Sequence, residues 1–136
     1  MTATAHLSQL LTEITDKFPS IQVMYLFGSH AAGTNRADSD VDIAVFTDGS
    51  ESPLMDLELG AFLQRQLKRG VDVVILQKAS PVLQHEVLRN KIRIFEKSGI
   101  NRAFLENKSL RAYLDARHYQ HLRALWRKSN DKNAGH

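Results

Sequence analysis

Apolar residues set the first divisions of the chain. Leu7, Leu10, Leu11, Ile14 and Phe18 recur at the three- and four-residue spacing of an amphipathic helix, which Pro19 and Ser20 end. The next run, IQVMYLF over residues 21–27, is apolar on both faces, the pattern of a central strand in a covered sheet, and Gly28 breaks it. VDIAVF at 41–46 is a second strand. Ser52 is placed as an N-cap with Pro53 at the first helical position, and Met55, Leu59, Phe62, Leu63 and Leu67 stripe the helix that follows, with Gly70 suited to its C-terminal cap. VDVVIL at 71–76 is a third strand. Pro81 opens a short helix carrying Val82, Leu83, Val87 and Leu88, and RIFE at 93–96 is a short edge strand. From Arg102 to Lys128 the chain reads as helix, with Leu110, Tyr113, Leu114, Leu122, Leu125 and Trp126 as apolar anchors, before a disordered tail over 129–136. Strands alternating with helices give an α/β class.

Composition narrows this picture. The 136 residues suit one domain, divided here into a core over 1–100, a helical extension over 101–128 and the tail. The absence of cysteine excludes a disulfide scaffold, thiolate catalysis and Cys-based zinc sites. No apolar run approaches the ~18 residues of a membrane span, and the first residues lack the basic start and apolar core of a signal peptide, so a cytoplasmic domain is expected. The net charge of +3 is unevenly spread: residues 1–100 sum to −2 and residues 101–136 to +5. A basic end of this kind is a solvated surface or a contact for nucleic acid or an acidic protein.

The chemistry concentrates between Phe27 and Val45, FGSHAAGTNRADSDVDIAV. A Gly-Ser pair, Gly28-Ser29, follows the first strand, and after ten residues Asp40 and Asp42 bracket Val41 at the start of the next. Side chains alternate along a strand, so the two aspartates share one face, with Cα atoms about 7 Å apart. Val41, Ile43 and Val45 take the other face and belong to the core. Two like charges on one face repel unless a hard cation lies between them, and Mg²⁺ accepts one or two carboxylates together with substrate phosphates. A second metal would bridge the attacking and leaving oxygens of an in-line displacement. Glycine lets the backbone approach a phosphate, and the Ser29 hydroxyl with neighbouring amides can donate to its oxygens. No Walker loop is present. Asp72 interrupts an otherwise apolar strand. Buried and unpaired it would be costly; if the third strand lies beside the second it joins Asp40 and Asp42 as a metal ligand, as the base for an attacking hydroxyl, or as both, and the alternative is that it pairs with an arginine or faces water.

Gly-Ser, ten residues, Asp-x-Asp and an aspartate on a later strand resemble the DNA-polymerase-beta-like nucleotidyltransferase superfamily. The size resembles its minimal nucleotidyltransferase (MNT) antitoxins, which are paired with HEPN-domain ribonuclease toxins. The resemblance covers about residues 7–100. It implies a minimal nucleotidyltransferase fold, a small mixed β-sheet flanked by α-helices. Mg²⁺ and a nucleoside triphosphate are implied as well, with Gly28 and Ser29 gripping phosphate and Asp40, Asp42 and Asp72 as metal ligands and catalytic carboxylates. It further implies transfer of AMP from ATP to a tyrosine of a cognate toxin held in a hetero-oligomer. The resemblance leaves two alternatives standing: an antitoxin that neutralises by docking alone, and a transferase acting on a small molecule. Many relatives carry an arginine where this chain has Ala32, and Arg36 is the residue placed to supply that charge.

Other groups read as structural. Asp48, in TDGSES, is a turn residue; Asp38-Ser39-Asp40 also resembles loop punctuation, but that reading would leave Asp42 unpaired against a core strand, so Asp40 stays with the site. His118 and His121 lie three apart without a third ligand nearby. Arg111 and His118 match the loose Arg-x4-6-His pattern of HEPN ribonucleases, but that pattern needs a helical bundle of its own. The basic helix is either a lid on the core or a docking arm, with Leu122, Leu125 and Trp126 as anchors and Arg117, Arg123 and Arg127 as charged guides. Its few aromatic residues argue against direct nucleic-acid binding.

Overall fold

The computed structural model describes residues 2–36 and 39–134, with side chains to residue 131. Its centre is a four-stranded sheet of β1 (Ile21–Phe27), β2 (Val41–Thr47), β3 (Val71–Ile75) and β4 (Ile92–Glu96), in the order β3-β2-β1-β4. β1 pairs antiparallel with both β2 and β4, while β2 and β3 run parallel. The sheet is therefore mixed, as the sequence implied. The parallel pair needs a crossover, and α4 (Met55–Leu67) supplies it.

Helices cover both faces, which explains why β1 and β2 are apolar throughout. On one face Ile21, Met24, Leu26, Val41, Ile43 and Val45 pack with Leu7, Leu10, Ile14 and the whole predicted stripe of α4. On the other, Val23, Tyr25, Ala44 and Phe46 pack with Leu76 and Val87, and Leu105 leans against them. The second face is covered by α5 (Pro81–Arg89) and α6 (Arg102–Ala134).

Four local expectations need correction. The N-terminal helix is two helices, α1 (Ala3–Gln9) and α2 (Leu11–Lys17), because the Leu10 amide donates to Leu7 O at 3.0 Å and tightens the turn. Leu7, Leu10 and Ile14 remain buried across the break. Ser52 and Pro53 form a turn ahead of α4 rather than its cap: Ser52 Oγ accepts from the Leu54 amide at 3.1 Å and Ser52 O from the Met55 amide at 3.0 Å. Gly70 does not cap α4. Lys68 does, in the left-handed region at φ 57°, donating to Gln64 O. Finally, the segment 129–136 is helical as far as Ala134, as the last turns of α6, and its final two residues lie outside the described part.

Only the first turns of α6 lie on the core. Leu105, Ser109, Ala112 and Tyr113 are buried or half-buried, the Tyr113 ring stacks on His85 at 3.7 Å, and every residue from Arg117 to Asp131 is exposed. At 1.5 Å per residue this arm extends roughly 20 Å beyond its last support. Among the described residues no helix is long and apolar enough to cross a membrane.

Candidate active site

The strand registers bring the candidate carboxylates together. Asp42 lies directly beside Asp72 in the parallel pair, and Phe27, which leads into Gly28, lies beside Asp42 in the antiparallel one. Val41 and Ile43 belong to the α1/α4 face, so Asp42 and Asp72 project from the opposite face, the one covered by α5 and α6.

Glycines make the room. Gly28 has φ 73° and ψ −149°, a conformation that L side chains rarely adopt, and it precedes the short helix α3 (Ser29–Ala32). A Cβ at Gly28 would lie 3.1 Å from Asp42 Cγ and closer still to Oδ2. The glycine is therefore demanded twice, by the turn and by the carboxylate against it. Gly70 serves Asp40 in the same way. A Cβ there would lie 2.8 Å from Asp40 Cγ, while the Gly70 carbonyl accepts from the Val41 amide at 2.9 Å. This role replaces the capping role read from the sequence.

Electrostatics distinguish the aspartates. Desolvation pushes the Asp42 carboxyl above the usual range, and the charges of Asp72 and Asp40 push it further, with His30 opposing. His30 also ties α3 to the chain entering β2, its Nε2 lying 3.1 Å from Ser39 O. Sequence reasoning missed this link, because a histidine one residue after a Gly-Ser pair carries no signature of its own. Asp72 departs from expectation. Because β3 is an edge strand, its side chain is exposed rather than buried, so the desolvation argument does not apply to it. Its place beside Asp42 stands.

The groups gathered around Asp42 are carboxylates, the oxygen donors that hard divalent cations take. Three mutually repelling carboxylates acquire a favourable arrangement only with positive charge among them. Among the described residues no three His, Asp or Glu side chains form a metal cage by themselves. Gly28 and Ser29 stand at the end of β1, next to Asp42. Arg36 is exposed; its backbone amide donates to Ser39 Oγ at 2.7 Å and its carbonyl accepts from the Ser39 amide at 3.1 Å. Asp38 lies outside the described residues. Asp48 makes the expected turn, accepting from the Ser50 amide at 2.8 Å. His118, His121 and Arg111 are all exposed on α6.

A glycine turn thus ends β1, a central strand of a mixed sheet, and Asp42 and Asp72 face each other on the neighbouring strand pair. The chain belongs to the polymerase-beta nucleotidyltransferase family, whose pattern matches residues 9–100. It is 36% identical over 81 residues to a protein adenylyltransferase, MntA, of Shewanella oneidensis; the match covers 60% of this chain and spans 58% of that protein. A chain of a crystal structure of a toxin-antitoxin with AMP-PNP superposes with a TM-score of 0.65 at 29% identity, over 93% of this chain and 96% of the other. A chain of the complex between tri-AMPylated Shewanella oneidensis HEPN toxin and MNT antitoxin gives 0.60 at 26% identity, over 94% and 95%.

Proposed function

We propose that this protein is an antitoxin that transfers AMP from ATP to a tyrosine hydroxyl of a cognate HEPN ribonuclease toxin and thereby neutralises it, with Mg²⁺ as the ion. The observation that carries this reading is the Asp42–Asp72 pairing across β2 and β3, with Gly28 pressed against Asp42. The similarity to MntA adenylyltransferase and to toxin-antitoxin chains supports it.

In this reading Asp40, Asp42 and Asp72 would hold Mg²⁺ together with water and substrate phosphate, and the ion would offset the negative charge on the α-phosphate. Ser29, directly after the Gly28 turn, donates its hydroxyl to the departing phosphates. Asp72, in contact with water, takes the proton of the incoming tyrosine hydroxyl. The tyrosine oxygen bonds to the α-phosphorus, the α–β bridging bond breaks, and pyrophosphate leaves.

Residues 1–100 carry this chemistry, and α6 holds the partner. Leu114, Leu122 and Trp126 share one side of the projecting helix at i, i+8 and i+12, with Leu125 beside them, and Trp126 is 67% exposed. Arg117, Arg123, Arg127 and Lys128 flank these residues. A projecting helix that shows water both apolar anchors and positive charge is suited to docking, and docking orients the acceptor for a catalytic domain of this size.

The test is the intact mass of the partner toxin after incubation with ATP and Mg²⁺. Gain of adenylyl groups with the parent protein, and none with Asp40→Asn/Asp42→Asn, is expected. Equal labelling by that variant would remove the metal assignment.

A further inference from the structure

A second charged feature lies on the same face as the carboxylates, and the reaction as described does not use it. A cavity of about 580 Å³ is lined by Ala31 and Ala32 of α3, by Leu88, Arg89, Asn90, Lys91 and Arg93, and by Arg102 at the start of α6. The register locates it. Leu26 pairs with Ile92 and Tyr25 with Arg93, so the start of β4 lies one strand from the end of β1. Asp42 lies one strand from β1 on the other side. Two strand spacings of about 4.8 Å put the cavity roughly 10 Å from the carboxylates, across the Gly28-Ser29 turn. Tyr25 opposes both Ala44 and Arg93, and Phe27 opposes Asp42, so Arg93 and Asp42 project from the same face.

The four cations are met by three carboxylates. Arg89 faces Glu86 at 3.9 Å, Arg93 and Arg102 share Glu96 at 3.1 and 3.3 Å, and Glu106 takes Arg102 at 2.8 Å together with Lys91. The Arg89 contact is a solvent-exposed pair at the limit of ion-pair distance and is worth almost nothing. Arg93 spends one arm of its fork on a carboxylate that it shares. Lys91 and Arg102 are structural, since their pairs fasten α6 to the sheet. Arg89 and Arg93 keep donors for a ligand, in a recess whose α3 wall is only methyl groups. Planar guanidinium forks match phosphate oxygens in pairs.

We infer that this cavity is a phosphate subsite, taking either the polyphosphate end of the donor nucleotide or a phosphate that an already modified acceptor carries. The inference rests on the transferase reading for its role and on the cavity alone for its chemistry. Its volume lies within the roughly 300–1,000 Å³ of small-molecule sites, larger than one phosphate needs.

The experiment compares the parent protein with Arg89→Gln/Arg93→Gln and with Arg89→Lys/Arg93→Lys, after matching thermal unfolding has shown that the folds agree. Binding of inorganic tripolyphosphate is measured by calorimetry at low salt. The Gln pair should weaken it about tenfold or more, the scale of one lost charge-assisted hydrogen bond, and the Lys pair should recover only part of it, because an ammonium keeps the charge but not the paired donors. Parallel arms separate the two sources. If the subsite takes the donor's tail, ATP affinity falls with tripolyphosphate affinity while AMP affinity holds. If it takes the acceptor's phosphate, ATP affinity holds, and addition to a toxin already carrying AMP falls further than addition to unmodified toxin. Tripolyphosphate affinity unchanged by the Gln pair, or absent from the parent protein, would overturn the inference. A parent protein that binds tripolyphosphate but transfers no AMP would instead count against the transferase reading and leave the subsite standing.

Discussion

Gly28→Ala should disable the protein in two separable ways. The first is backbone strain. At φ 73° and ψ −149° the position lies outside the regions open to L side chains, and forcing alanine there costs about 1–3 kcal/mol. The second is collision. The new methyl carbon would lie 3.1 Å from Asp42 Cγ and nearer to Oδ2, against an ordinary carbon contact of about 3.5–4.0 Å, so the carboxylate must retreat by several tenths of an ångström to about 1 Å. A misplacement of ~1 Å at a catalytic group lowers rate on the order of a hundredfold. For a chain of this length about 2 kcal/mol corresponds to roughly 6–10 °C in thermal midpoint. The assay is a cycle of Gly28→Ala, Asp42→Ala and the double variant, read by thermal unfolding without metal. Strain is common to both backgrounds, whereas the collision vanishes once Asp42 is alanine, so the second glycine substitution should be milder than the first. Equal costs in the two backgrounds would show that the methyl group never meets the carboxylate. A parent-like midpoint with full activity would refute the whole argument.

Gly70→Ala should displace Asp40 by the same contact but without a left-handed backbone, so activity should fall by at least about tenfold while the thermal midpoint moves by only a few degrees. Burial and two neighbouring charges raise the Asp42 carboxyl pKa in the folded state, so the folded protein gains from protonation of Asp42, and that gain is lost as pH rises through the folded value. The stability of Asp42→Asn relative to the parent, in chelator, should therefore grow between pH 4 and pH 7; a difference that shrinks over this range would contradict the assignment. Asp72→Asn should leave metal-free stability unchanged or slightly higher, because its side chain is exposed and removing it relieves Asp42, yet should slow AMP transfer; a clear loss of midpoint would mark Asp72 as structural. Trp126→Ala/Arg127→Ala should weaken co-purification with the toxin and leave ATP binding intact, since both residues are exposed on the part of α6 that projects from the core.

Periodicity in the sequence carried most of the fold. β1 and β2 are legible because apolar residues on both faces leave no other place for a seven-residue segment, and the α4 stripe because five apolar residues share one helical side. The N-terminal break was hidden, since Leu7, Leu10 and Ile14 face the core whether the backbone is one helix or two. The burial of Asp72 was misjudged because an apolar strand looks the same at a sheet's edge as at its centre, and only pairing tells them apart. Helix continuing to Ala134 was masked by polar residues that signal disorder equally well. At the site, Asp-x-Asp and Gly-Ser could be read from spacing. Gly70 could not, because the collision that requires it joins residues thirty positions apart.

Incubation of purified partner toxin with this protein, ATP and Mg²⁺, followed by intact-mass analysis and an assay of toxin ribonuclease activity, tests the central claim most directly. Adenylyl groups should accumulate on a toxin tyrosine, ribonuclease activity should disappear in step with them, and both effects should need ATP and an intact Asp42. Full neutralisation of the toxin without ATP, with its mass unchanged, would contradict the account and make the protein an antitoxin that acts by docking.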